Sequence, residues 1–222
     1  MPDNASTSTN TLRRGIYRRY IKRPMDFILA LCAIIVLSPV MLIVAILVRI
    51  KLGSPVIFKQ QRPGLNEKIF TLYKFRTMND TRADNGQLLP DSERLTKFGR
   101  FLRSTSLDEL PELWNIVRGD MSIVGPRPLL IKYLPLYNEQ QKRRHEVRPG
   151  LSSLAAIYGR NLLTWEEKFY YDITYVDNIS FALDMKIILA TLPVTIKREG
   201  INQEACATVD EFTGSQSELT RR

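Results

Sequence analysis

The residues best suited to chemistry lie between Arg103 and Pro128. Two adjacent carboxylates, Asp108 and Glu109, stand just ahead of Pro111, and Arg127 is set between Pro126 and Pro128. The spacing Ser106-x-x-Glu109 fits a capping box, in which a hydroxyl and a carboxylate satisfy free N–H groups at a helix start. Pro111 constrains that start, because proline is tolerated only in the first turn. With Asp108 as the cap it falls inside that turn; with Ser106 as the cap it falls later and removes a bond. In both cases the helix start keeps the carboxylates ionised and attracts phosphate oxygens. An ionised aspartate can attack phosphorus, and an ionised glutamate can hold a magnesium ion. The stretch therefore suits an anionic substrate held beside an acidic nucleophile or a metal.

The elements upstream add cations. Val56 to Gln61 and Ile69 to Met78 read as two strands of a hairpin, joined by the turn signals of Arg62-Pro63-Gly64. A two-residue period puts Lys74 and Arg76 on one face of the second strand, as a clamp for a diphosphate or as a solvated strand face. From Ser92 to Arg103 the apolar residues Leu95, Phe98 and Leu102 recur among arginines and lysine, as in an amphipathic helix on a membrane or a surface helix on a core. The single histidine, His145, sits among charges and reads as a surface residue. Helical patterns return at Trp165 to Tyr171 and Phe181 to Lys197; the segment after Gly200 is polar and carries no assignment.

The N-terminal part reads as an anchor. Residues 1–12 are polar without periodicity and are expected to be disordered. Arg13, Arg14, Arg18, Arg19, Lys22 and Arg23 then precede the apolar stretch Met25 to Val48, as a polybasic segment beside anionic phospholipid does. That stretch has the length of one membrane span, but Ser38-Pro39 interrupts it, and basic residues flank both ends. Its halves would rise about 21 Å and about 15 Å at roughly 1.5 Å per residue, against a hydrocarbon core of about 30 Å. The expectation is a re-entrant helix hinged at Ser38 and Pro39, with both ends on the cytosolic side.

The chain has 222 residues, enough for one domain with an appendage. Its 32 lysines and arginines against 23 acids give a net charge of +9, which calls for an anionic partner. Two cysteines, Cys32 and Cys206, argue against a disulfide framework and against a zinc site. The expected fold is α+β: a basic juxtamembrane segment with the re-entrant membrane helix (13–52), then a mostly helical cytosolic catalytic domain (53–200) with a short β-hairpin and interfacial amphipathic helices, then a tail (201–222).

With these residues in view, the chain resembles the small monotopic phosphoglycosyl transferases, which start bacterial glycan assembly on a polyprenyl phosphate. The motifs are Ser38-Pro39, Arg62-Pro63-Gly64, Tyr73-Lys74-Phe75-Arg76-Thr77-Met78, Arg103-Ser-Thr-Ser-Leu-Asp108-Glu109, Gly119-Asp120-Met121-Ser122, Val124-Gly125-Pro126-Arg127-Pro128 and Val147-Arg148-Pro149-Gly150. It looks most like the short members acting on UDP-diacetylbacillosamine-type aminosugars. The resemblance implies that Asp108 attacks the sugar-bearing phosphate of a UDP-sugar, releasing UMP, and that polyprenyl phosphate then takes the sugar phosphate. It implies Glu109 as the Mg2+ ligand, Lys74, Arg103 and Arg127 as phosphate-holding cations, and Arg160 and Asp184 as further site positions. It places the protein at the bacterial inner membrane with its active domain on the cytosolic face, and no nucleic acid is expected as a partner. Ser153, Ala156 and Tyr158 depart from the family pattern, in a loop where specificity would differ first. The competing reading, a membrane-tethered basic binding protein without catalysis, accounts for charge and anchor but gives Asp108, Glu109 and Arg127 no purpose.

Overall fold

The computed structural model describes residues 15–159, 162–197 and 211–214. The expected disordered tail, residues 1–12, lies outside them, as does most of the C-terminal segment. A π-helical turn, Tyr17–Ile21, leads into α1, Lys22–Leu52, a 31-residue helix that continues through Pro39. Proline leaves the carbonyl four residues back without its usual donor. Here that carbonyl is on Ile35, and the Ser38 hydroxyl donates to it at 2.8 Å. The Ser-Pro pair thus supplies its own repair.

One face of α1 lies against the rest of the chain on both sides of Pro39. Ala30, with Ala33, Ile34 and Leu37, packs on Leu72, Leu113, Ile116 and Met121. Val44 and Val48, with Met41, Ala45 and Leu52, pack on Phe75 and Leu102. The opposite face exposes Ile28, Ile35, Val36, Leu42, Ile43 and Ile50. Tyr17–Leu52 is, among the described residues, the only helical stretch long and apolar enough to cross a membrane, and 11% of its most apolar window is buried. So little burial fits a membrane-associated helix and not the core helix of a soluble domain. The start of α1 is pinned to the domain through Asp26, which accepts from the Ser122 hydroxyl at 2.5 Å and the Ile123 N–H at 3.3 Å. Of the basic residues read as lipid-facing, Arg18 donates to the Glu146 carbonyl, Lys22 binds Asp184, and Arg23 caps the last carbonyls of a domain helix at Ile116 and Val117.

The hairpin forms as expected: β1 (Ile57–Pro63) and β2 (Ile69–Phe75) pair antiparallel, Ile57 opposite Phe75 and Pro63 opposite Ile69. The strand stops at Phe75, three residues short of the expected end. The amphipathic segment is split. A one-turn helix, Asp91–Arg94, ends where Leu95 becomes extended and bridges to Met78, and α2 (Lys97–Ser104) restarts with Thr96 capping the Gly99 N–H. Leu95 and Leu102 are buried and Phe101 is exposed, so α2 packs on the core with one aromatic ring facing out.

After α2 come a single 3-10 turn, Leu107–Glu109, then α3 (Glu112–Arg118) with Pro111 at its start. Gly119 ends α3 in the left-handed region, at φ 92°, where glycine carries no side-chain penalty. Two short strands then form a parallel pair that no periodicity announced: β3 (Ser122–Val124) and β4 (Gly150–Ser152), with Ser122 opposite Gly150. The segment between them is a series of short turns: 3-10 at Ile131–Leu136, one α-turn at Glu139–Lys142 and 3-10 again at Arg143–Glu146. Helices α4 (Leu154–Tyr158), α5 (Trp165–Asn178) and α6 (Phe181–Lys197) complete the domain. In α6, Ile187 is fully buried while Leu189 stays exposed.

The β3–β4 crossing is very close. A Cβ on Gly150 would lie 2.0 Å from the Gly125 nitrogen, and one on Gly125 would lie 2.4 Å from the Arg148 carbonyl oxygen. Gly150→Ala is therefore expected to destabilise the domain by about 3 kcal/mol or more, at or above the usual overpacking range, because only backbone stands in the way. Urea unfolding of the two proteins measures it.

Candidate active site

Four segments bring the charged groups together. Lys74 comes from β2, Asp108 and Glu109 from the 3-10 turn, Glu112 from the start of α3, and Arg127 from the loop after β3. Asn115, fully buried on α3, holds α3 to β2 by imitating a neighbouring strand: it accepts from the Tyr73 N–H at 3.1 Å and donates to the Thr71 carbonyl at 2.7 Å. That clamp sets Glu112 against Lys74. Arg127 is placed by the β3–β4 crossing, where the Gly150 N–H donates to the Pro126 carbonyl at 2.9 Å.

The Lys74 ammonium bonds Glu109 Oε1 at 2.8 Å and Glu112 Oε1 at 3.0 Å. Arg127 reaches the same Glu109 oxygen at 2.5 Å. No capping box forms, because Glu109 accepts from these cations and Ser106, at φ 54°, makes no side-chain cap. Both contacts fall on Oε1; among the described residues none donates to Oε2. Asp108, buried at 7% exposure, likewise receives no hydrogen bond from a described residue, while Lys74, Arg103 and Arg127 act on it through space.

The electrostatics divide the three acids. Burial would raise Glu109, but Arg127 and Lys74 outweigh it and hold that carboxyl far below its ordinary range. Asp108 is shifted upward by burial and by the Glu109 charge, and Glu112 is pushed up to about 7 for the same two reasons. Lys74 is raised, its burial outweighed by Glu109 and Glu112, and Glu109 raises Arg127. A carboxyl raised in the fold favours folding below its unfolded range and loses that contribution as pH rises through its folded value. Stability is accordingly expected to fall from pH 5 to pH 8, and Glu112→Gln is expected to flatten that fall, as read by denaturation midpoints across the range.

Arg103 donates to the Thr77 hydroxyl at 3.1 Å, on the side of Asp108. Arg76 is not brought to the carboxylates. Because the strand ends at Phe75, its side chain leaves the alternation and is held by the Ser54 and Met78 carbonyls and by Asp80 at 2.6 Å. The two-cation clamp expected on β2 therefore reduces to Lys74. Asp184, fully buried, accepts from Tyr17 at 2.6 Å, Lys22 at 2.6 Å and Tyr175 at 2.8 Å, which ties α1 to α5 and α6 away from this cluster. Arg160 lies outside the described residues.

Two residues at the site were passed over in the sequence. Glu112 is one, although its spacing of three and four from Glu109 and Asp108 is that of neighbours on a helical turn. The other is Arg62, whose guanidinium is lowered to about 10 by burial and by the nearby Arg127 charge. His145, read as a surface residue, is buried at 7% exposure; its Nδ1 lies 3.3 Å from the Gly64 carbonyl, and burial and Arg144 lower it to about 4. Of the departing residues, Ser153 caps α4 by accepting the Ala156 N–H, Ala156 is half-buried in that helix, and Tyr158 stacks on Tyr171 at 4.8 Å.

The chain thus joins a buried cluster of acids and cations to a long apolar helix, and sequence comparison shows the class to which it belongs. Residues 17–198 match the family described as bacterial sugar transferase, and the chain belongs to that family. It is 54% identical over 195 residues to the sugar transferase EpsL of Bacillus subtilis, covering 88% of this chain and 96% of that protein. It is 39% identical to the UDP-glucose:undecaprenyl-phosphate glucose-1-phosphate transferase of Klebsiella pneumoniae over 77% of this chain and 39% of that one. For the undecaprenyl-phosphate galactose phosphotransferase of Salmonella typhimurium the identity is 35%, over 82% and 42%. The chain thus spans about two fifths of these two longer relatives. The resemblance to phosphoglycosyl transferases holds at the level of the family. The sugars in these names are glucose and galactose, and none is the aminosugar expected from the short members.

Proposed function

We propose that this protein transfers a sugar-1-phosphate from a UDP-sugar to polyprenyl phosphate at a membrane, in two steps through Asp108. The observation that carries the reading is the contrast between two adjacent acids: Glu109 is held ionised by Lys74 and Arg127, while Asp108 beside it is left without a hydrogen-bonding partner among the described residues. In the first step an Asp108 carboxylate oxygen bonds to the sugar-bearing phosphorus as the bond to UMP breaks. In the second an oxygen of polyprenyl phosphate bonds to the same phosphorus and the Asp108–phosphorus bond breaks, giving a lipid diphosphosugar. Lys74, Arg103 and Arg127 draw the phosphate oxygens in and offset the charge that accumulates on them, which is most of what phosphoryl transfer asks of a protein.

Magnesium suits the donor set. Among the described residues no group of three or more His, Cys, Asp or Glu side chains is arranged to hold a metal, but Mg2+ is commonly held by one or two carboxylates with water and substrate phosphates. Oε2 of Glu109 is available for that, and a cation bound there would oppose the upward shifts that burial, together with the Glu109 charge, gives Asp108 and Glu112. Bound there, the ion would neutralise diphosphate charge.

Two features support a re-entrant anchor with the domain on one side of the bilayer. At about 1.5 Å per residue α1 is about 46 Å long, long enough to span. Yet charged and polar side chains of the domain grip its start at Lys22 and Asp26, and the same domain buries Val44 and Val48 near its end. A straight crossing would drag those groups into hydrocarbon. Cysteines placed at Ser8 and Lys59 in a protein lacking Cys32 and Cys206 are expected to be shielded together from a membrane-impermeant thiol reagent in intact cells; labelling of one alone overturns this topology.

The function is tested by measuring UMP release across UDP-hexoses and UDP-N-acetylaminosugars, with undecaprenyl phosphate and magnesium. Release with at least one donor, lost on chelation, is expected. No UMP from any donor, together with salt-sensitive nucleic-acid binding, would instead favour a basic binding protein.

A further inference from the structure

Glu211 to Gly214 lie beyond the family match, which ends at residue 198, and nothing in the polar composition around them suggested a place in the fold. Phe212 is nonetheless buried at 3% exposure inside an aromatic box. Its ring lies 5.8 Å from Tyr133, 5.8 Å from Tyr137, 5.4 Å from Trp165 and 5.1 Å from Phe169. The neighbouring Glu211 carboxylate meets the Lys132 ammonium at 2.5 Å, at an exposed site.

What the box supports lies one layer deeper. The Arg144 guanidinium sits 5.8 Å from the centres of both the Tyr137 and Phe169 rings, and it bonds the Tyr137 hydroxyl at 3.3 Å. It is buried, paired with Asp172 at 2.7 Å, and its remaining Nη2 contact is to the backbone carbonyl of Arg127 at 2.7 Å. A continuous line of contacts therefore runs from Phe212 through Tyr137 and Phe169 to Arg144, and from there to the main chain that carries the Arg127 side chain onto Glu109. Removing the innermost ring would leave a cavity against Tyr137 and Phe169, and buried aromatic truncations are among the most disruptive core changes.

We propose that Phe212 is a positioning residue: its ring completes the support of Arg144, which fixes the backbone at Arg127. The inference rests on the transferase reading only for its kinetic arm. Displacement of a substrate-holding group by about 1 Å can cost up to ~100-fold in rate. Phe212→Ala in the full chain is thus expected to lower kcat for UMP release tenfold or more, with the KM for polyprenyl phosphate unchanged and partial recovery in Phe212→Leu, which keeps apolar bulk. The structural arm needs no substrate. Hydrogen exchange of peptides covering 126–147 is expected to accelerate in Phe212→Ala, while the β1–β2 hairpin keeps its protection. Unchanged exchange over 126–147 overturns the proposal whatever the activity; accelerated exchange with unchanged kcat overturns the positioning role. A wild-type chain inactive on every UDP-sugar would sink the transferase reading and leave the exchange result to judge this one.

Discussion

Asp108→Asn is expected to abolish UMP release, a fall on the order of 10^4-fold or more for loss of a covalent nucleophile, without weakening the fold. The two halves of that expectation have separate causes. The amide has nearly the shape of the carboxylate but does not attack phosphorus. It also removes a charge that burial and Glu109 disfavour in the folded state, so the melting temperature should stay level or rise. Mass spectrometry supplies the complementary measurement: the wild-type chain, given a UDP-sugar without lipid acceptor, should gain one sugar phosphate at Asp108, and the variant none. Full activity in Asp108→Asn would require direct attack by the lipid phosphate.

Lys74→Met is expected to be the second most damaging change, this time to both stability and activity. The lysine is the only described cation bonded to both Glu109 and Glu112, whose side chains are 13% and 4% exposed. Breaking a buried pair from one side strands the partner charge and costs about 3–5 kcal/mol. The loss should be largest at pH 8 and smaller at pH 5, where Glu112, already pushed up to about 7, takes up a proton and lightens the stranded charge. Denaturation midpoints at the two pH values measure the difference. Activity is expected to stay low at both, since no other β2 side chain takes the place of Lys74.

How much of this could be read in advance depended on whether the signal was local. The hairpin was legible because proline and glycine punctuate two extended runs, and α6 was legible because its pattern spans several turns. Asp108, Glu109, Lys74 and Arg127 could be singled out because their types and motif context are specific, and the structure gathers them into one charged cluster. Arg103 comes with them on the side of Asp108. Arg76 does not, because alternation was extrapolated past the last paired residue. The parallel β3–β4 pair could not be read from three-residue strands whose partner lies 28 positions away (122 to 150), and His145 looked solvated because its neighbours in sequence are charged, while in space it is buried against the Gly64 carbonyl and the Tyr137 ring. Phe212 is the extreme case: a single ring in a polar segment, buried by residues some 45 to 80 positions earlier.

The anchoring of Tyr17, Lys22 and Asp26 into the domain has a consequence for traffic at the bilayer. A catalytic unit joined to its anchor by a flexible tether would sample many heights above the lipid. Here the first turns of the anchor are bolted by Asp184 to α6 and by Ser122 to β3, the strand whose following loop carries Arg127. The distance between the acidic pair and the anchor is then a fixed dimension of the molecule, and a lipid-borne acceptor of the kind proposed would have to come to it at one level of the leaflet.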